Sequence, residues 1–133
     1  GSEMCIETAL KADGCDYIIC LGHLGIDKES IGNRSTDLLN VVDGIDVFID
    51  GHSHSTMKDI AEVTDKDGKV NGTLLTSTGT KLANVGVVTI SPKGKVTDRH
   101  CPFGGRPLPA PVIPDVCPLR SSTLSPAPLL IVV

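Results

Sequence analysis

Two apolar runs that each close on Gly-His constrain this chain more than any other feature: Tyr17-Ile18-Ile19-Cys20-Leu21-Gly22-His23-Leu24-Gly25 and Val47-Phe48-Ile49-Asp50-Gly51-His52-Ser53-His54. Apolar text without alternation is what a strand covered on both faces requires. The intervening segment is helix-sized, with Ser35 or Thr36 as its cap, Leu38, Leu39 and Val42 along one side, and Gly44 at its end. Strand, helix, strand in this order is a right-handed βαβ crossover, so residues 16 to 21 and 46 to 50 are expected as parallel neighbours. His23 and His52 then stand at the same carboxyl edge, where open α/β sheets bind ligands. Paired strands lie only about 4.8 Å apart, so side chains leaving adjacent ends can share one ligand.

The rest of the chain divides into three stretches. Residues 3 to 13 are expected as a helix, with Ser2 as N-cap, Ile6, Ala9 and Leu10 at helical spacing, and Gly14 beyond. After His54 the helical spacing stops, and an antiparallel meander is expected: strands at 59 to 64, 73 to 77, 85 to 91 and 95 to 98, with turns at Asp65-Lys66-Asp67-Gly68 and Pro92-Lys93-Gly94. Near residue 100 the composition breaks, because all of the nine prolines except Pro92 fall between Pro102 and Pro128, without period. The expected organisation is therefore an α/β domain over residues 1 to 99 and a proline-rich, disordered tail over 100 to 133. An out-of-frame end would produce the same abrupt change of text.

Composition excludes several classes of partner. There is no tryptophan, and Tyr17, Phe48 and Phe103 are the aromatic residues, which leaves nothing on which nucleobases of a polymer could stack in series. The net charge is −4 and no basic cluster interrupts it, so neither a nucleic-acid backbone nor an anionic membrane surface is an expected partner. No apolar run approaches the roughly 20 residues of a membrane span. The chain opens at Gly1-Ser2 with no signal-peptide pattern. Its five cysteines include no C-x-x-C pair, and Cys20 reads as a small apolar residue within its strand. Oligomeric state is not legible.

The histidines carry the chemistry. In an extended turn His52 and His54 project to one side, and Gly51, lacking a Cβ, lets the backbone approach a ligand closely. Neutral imidazole is the commonest nitrogen ligand of zinc, manganese and iron, and His23, His52 and His54 are the candidate metal ligands. Asp50, next to them, is a candidate for supporting the ligands from behind, whereas Asp27, Asp43, Asp46 and Asp59 read as caps and turn formers. His100 opens the tail without such a context. The residues alone also admit a non-catalytic α/β binding or scaffold module in which these histidines are hydrogen-bonded turn residues. An acidic chain that handles an anion would need metal ions to do so.

At these two turns, and again from Leu74 to Ile90 with Gly79 and Gly86, the chain resembles the calcineurin-like metallophosphoesterases, and within them the 5′-nucleotidase family. The G-H-S-H string of Gly51 to His54 is the most specific element of that resemblance. The resemblance implies a four-layer α/β/β/α sandwich holding two divalent metal ions (zinc, manganese or iron), with His23 and His52 on one metal and His54 on the other. Metals about 3.5–4 Å apart would polarise a phosphate and generate the attacking hydroxide. It further implies a small-molecule nucleotide or other phosphate ester as substrate, and a periplasmic, secreted or cell-surface location. The family's D-x-H, G-D and G-N-H-[DE] elements would precede Glu3, so the chain is expected to be the second half of a catalytic domain and inactive alone. A cyclic-nucleotide phosphodiesterase or a nucleotide-sugar hydrolase would share the same metal core.

Overall fold

The computed structural model describes residues 2–102 and 130–132. Helix α1 spans Ser2–Ala12, strand β1 Ile19–Leu21, helix α2 Ser35–Leu39, strand β2 Val47–Ile49, and helix α3 Met57–Ala61. Strands β3 (Lys69–Val70), β4 (Thr73–Thr76), β5 (Asn84–Ile90), β6 (Val96–Pro102) and β7 (Leu130–Val132) follow. They form two sheets, the first ordered β1-β2-β4-β3 and the second β6-β5-β7. The protein is thus a mixed α/β fold with one largely parallel and one antiparallel sheet.

The expected crossover is present. β1 and β2 pair in parallel, with Ile19 opposite Val47 and Leu21 opposite Ile49. Their anchoring begins before the ladder, where the Asp46 carboxylate accepts the Ile18 N–H at 2.8 Å. β1 departs from expectation in one respect. It is an edge strand, and Leu21 is 76% exposed rather than covered on both faces. β2 is the strand that meets that description, with Val47, Phe48 and Ile49 all buried.

The N-cap of helix α2 lies one residue before its expected position. Arg34 occupies the N-cap position, and the Asp37 carboxylate accepts its backbone N–H at 3.1 Å and its guanidinium at 2.7 Å. That guanidinium, with the backbone donors of Arg34 and Gly32, holds the Asp37 carboxyl well below the usual range. Ser35 serves elsewhere: its hydroxyl donates to the Gly25 carbonyl at 3.0 Å and ties the helix to the first histidine turn. The helix ends at Leu39, ahead of Gly44, which takes a left-handed φ of 89°.

The meander after His54 is corrected by the structure. Residues 57–61 form helix α3 instead of a strand from 59, because the Asp59 carboxylate accepts both the N–H and the hydroxyl of Thr56, at 2.7 and 2.8 Å, and closes a capping box. These contacts lower the Asp59 carboxyl below its ordinary value, the backbone donor first. With α3 as a second crossover, β4 returns parallel to β2, Val47 opposite Leu74. Antiparallel pairing is confined to β3–β4 and the second sheet. The β3–β4 turn is Asn71-Gly72, with φ of 47° and 84°, the left-handed pair that a two-residue hairpin demands.

Packing follows from this topology. On one face of the first sheet, Phe48 and Leu75 pack with Leu39 and Val42 from the α2 region and with Ile60 of α3. On the other face, Val47, Ile49 and Leu74 meet Val88, Ile90 and Val96 of the second sheet. The hairpin β5–β6 passes the composition break at residue 100 and continues to Pro102, while Leu130–Val132 adds to its other edge. The expectation of a disordered tail, for residues 103–129, lies outside the described residues. Cys15 and Cys101 are free thiols, and Cys20 packs half-buried against the helical core.

Candidate metal-binding edge

The three parallel strands end together. Gly22 extends the β1–β2 pairing by donating its N–H to the Ile49 carbonyl at 2.8 Å, and Asp50 donates to the Thr76 carbonyl at 2.8 Å. Immediately beyond lie the two histidine turns. Asp50, 8% exposed, joins them through its carboxylate, which accepts the backbone N–H groups of Leu24 at 3.0 Å, Gly25 at 3.1 Å and its own neighbour Gly51 at 2.8 Å. Asp50 therefore acts on the backbone of both turns, and its oxygens face N–H groups. Charge-assisted bonds of this kind are the stronger ones in proteins.

Three glycines leave room for the rings. A Cβ on Gly51 would lie 2.8 Å from Nδ1 of His23, so the absent side chain admits the imidazole of the opposite turn. A Cβ on Gly22 would overlap the buried Phe48 ring. Gly25, at φ 76°, packs 3.1–3.2 Å from Ser53 and the His52 ring by the same measure. Ser53 adds a further tie, its hydroxyl accepting the Ile26 N–H at 3.2 Å and sharing a hydrogen bond with Ser55 at 2.6 Å.

The second turn is tighter than the extended conformation expected for it. His52 has φ 69° and His54 φ 52°, and the Ser53 N–H closes on the Gly51 carbonyl at 2.9 Å around His52. Left-handed backbone at residues with a Cβ costs about 1–3 kcal/mol and persists where surrounding contacts enforce it. The Asp50 and Ser53 contacts supply that enforcement. His23 and His52 come together as a result, ring centroids 5.3 Å apart and planes at 76°. Both are exposed, as is His54.

Two of the three candidate ligands are thus adjacent. Among the described residues no group of three or more His, Cys, Asp or Glu side chains is placed to hold a metal ion, so His54 is not gathered with the other two into a ligand set. With metal–nitrogen bonds of about 2.1 Å, imidazoles sharing one ion have centroids within roughly 6 Å. The His23–His52 pair meets that limit.

His100 corrects the view of it as a tail residue. It lies in β6 opposite Gly86, its Nε2 within 3.1 Å of the Thr76 hydroxyl at the end of β4. Burial lowers its pKa, and the nearby Asp98 opposes that shift. The sequence reading did not assign Thr76 to this region, and it gave Gly25 and Ser53, which lie within the two runs, no role of their own. The Ser inside G-H-S-H and the second glycine of the first turn were the available signals.

Among curated proteins the chain is similar to a bacterial phosphoesterase of nucleotides. That relative is the Trifunctional nucleotide phosphoesterase protein YfkN of Bacillus subtilis (strain 168), 35% identical over 72 residues, which cover 47% of this chain. The chain spans 5% of the relative's length. No protein-family profile matches the chain, and no solved structure matches it. Among the described residues, no helix is long and apolar enough to cross a membrane.

Proposed function

We propose that the carboxyl edge formed by His23, His52 and His54 is part of the metal centre of a phosphohydrolase acting on nucleotides, of the 5′-nucleotidase kind. The observation that carries this is the pairing of His23 and His52 at 5.3 Å on the ends of adjacent parallel strands, over glycines that make room for the rings. His23 and His52 would hold one divalent ion, and His54, one left-handed turn further on, would serve a second. Bound there, zinc, manganese or iron would supply Lewis-acid polarisation of a phosphoryl oxygen and an acidified water. Asp50 holds the two turns in register, and Gly51 keeps the His23 ring free to meet an ion.

The fold of which this edge is part would be the four-layer α/β/β/α sandwich, with the helices and two sheets described above forming three of its layers. Two or three imidazoles leave most of a binuclear ligand set to be supplied from elsewhere, so this chain alone is expected to show no turnover. The kinship with YfkN supports a nucleotide phosphate ester as the substrate class.

Metal titration followed by the visible spectrum of cobalt(II) tests the reading. The expected outcome is binding that weakens at least about tenfold in His23→Ala and in His52→Ala, the scale for removing one ligand or its support, and that His100→Ala leaves unchanged. No cobalt spectrum at millimolar metal, or equal binding in all three variants, would overturn it. Hydrolysis of a nucleoside monophosphate by the isolated chain, abolished by His52→Ala, would show that the ligand set is already sufficient.

A further inference from the structure

Away from the histidine turns, a groove of about 790 Å³ runs between α3 and the start of β6, walled on its apolar side by Met57, Ile60 and Val96. Small-molecule sites span roughly 300–1,000 Å³. None of the residues of the two histidine turns lines it.

Asp98 stands on its wall with an unmet need. Its side chain is 9% exposed, and its Oδ2 is buried with no hydrogen-bond partner among the described residues. His100 does not meet that need: its Nε2 is 4.0 Å away, beyond hydrogen-bond range, and is engaged by Thr76. A buried carboxylate oxygen without a donor is unfavourable, and groups of this kind are where a ligand's N–H is received.

Lys66, Lys69 and Lys95 also line this groove. The carboxylate of Asp65, also on the lining, is already committed, because its Oδ1 accepts the N–H groups of Asp67 and Lys69 at 2.8 and 2.9 Å. The groove therefore presents both signs of charge, the buried Asp98 with Asp65 and Asp67 against Lys66, Lys69 and Lys95, beside an apolar wall. An anion alone would leave Asp98 unmet, and an amine alone would leave the lysines unmatched.

We propose that this groove binds a small amphoteric molecule whose amino group donates to Asp98 while its phosphate or carboxylate meets Lys66, Lys69 and Lys95. The carbon body lies against Met57, Ile60 and Val96. The site is separate from the proposed metal edge and does not depend on it.

Titration of the full chain with O-phosphoethanolamine and with 4-aminobutyrate, followed by amide chemical shifts, distinguishes the two anions. Inorganic phosphate and ethylamine are the half-ligand controls. The expected result is that one amphoteric probe shifts residues 57–69 and 95–98 and binds at least about tenfold more tightly than either control. Asp98→Asn should abolish that advantage, as loss of a hydrogen bond to a charged group does. Binding by inorganic phosphate as tight as by either probe, no shift with any probe, or an unchanged affinity in Asp98→Asn would each overturn the proposal. Should Asp98→Asn fail to fold, the double variant Lys66→Ala/Lys95→Ala at the rim decides: weakened binding upholds the site, unchanged binding overturns it.

Discussion

His52 and His100 show two opposite uses of one residue type. His52 is exposed, sits on left-handed backbone at φ 69° and meets another imidazole edge-on. His100 lies in a regular strand, its side chain 11% exposed, with a hydroxyl partner on the neighbouring sheet. The first arrangement costs conformational energy and buries little; the second packs two sheets together. Strain tolerated at an exposed side chain agrees with the ligand role proposed for His52, whereas His100 packs between the sheets. Residue type and a neighbouring glycine do not separate these roles; backbone conformation and burial do.

The largest test of this contrast concerns the floor under the exposed pair. Gly22→Val places a branched side chain into the Phe48 ring, which is 1% exposed and hemmed in by the helical core. Overpacking of that kind costs about 3 kcal/mol, read as a lowered urea midpoint. A loss below about 0.5 kcal/mol would mean that the turn adjusts freely and does not preset the histidines. Next comes Asp50→Asn, which leaves one carbonyl oxygen where two carboxylate oxygens now accept from Leu24, Gly25 and Gly51. The expected loss is about 2 kcal/mol, with nuclear Overhauser contacts between the His23 and His52 rings disappearing. Persistence of those contacts would show that the pairing does not depend on Asp50.

How much of this was legible follows the same division. The β1–α2–β2 unit could be read because its apolar runs, helical spacing and terminal glycines all agree, and the parallel pairing of Ile19 with Val47 bears it out. Beyond His54 the signals were local and polar. Thr56-x-x-Asp59 caps a helix only five residues long, too short to show a period, and Asn71-Gly72 specifies a hairpin between strands of two and four residues. Missing α3 turned a parallel crossover into an expected meander. At the site, the proximity of His23 and His52 was predictable from strand pairing, but the φ of His52 and His54 was not. It depends on Asp50 and Ser53 contacts that exist only once both turns are in place.

Substitutions of opposite sign sharpen the contrast between the two histidines. His52→Gly removes a Cβ from left-handed backbone and is expected to stabilise the fold by about 1 kcal/mol. His100→Ala removes a largely buried ring and its Thr76 partner, and should destabilise by about 1–2 kcal/mol. Both are read from chemical denaturation of the same chain. If both variants lose stability equally, the turn is not strained and His52 has a structural role after all.

The smallest effect is a pH dependence that belongs to His100. Burial disfavours its imidazolium, Asp98 at 4.0 Å offsets part of that, and the net effect is a folded pKa below the ordinary value. The ordinary value in an unfolded chain is about 6.5. Between the two values the unfolded chain binds more protons than the folded one, so stability rises with pH across that window. Above about pH 6.5 the His100 contribution is fully present. As pH falls through the folded value it is lost, and the curve levels until carboxylates such as Asp59 and Asp65, whose pKa values are held low by backbone N–H donors, begin to protonate below about pH 4. Denaturation midpoints measured from pH 7.5 down to 4.5 should show this shallow decline in the native chain and a flat line in His100→Gln. A decline that survives His100→Gln would assign the titration elsewhere.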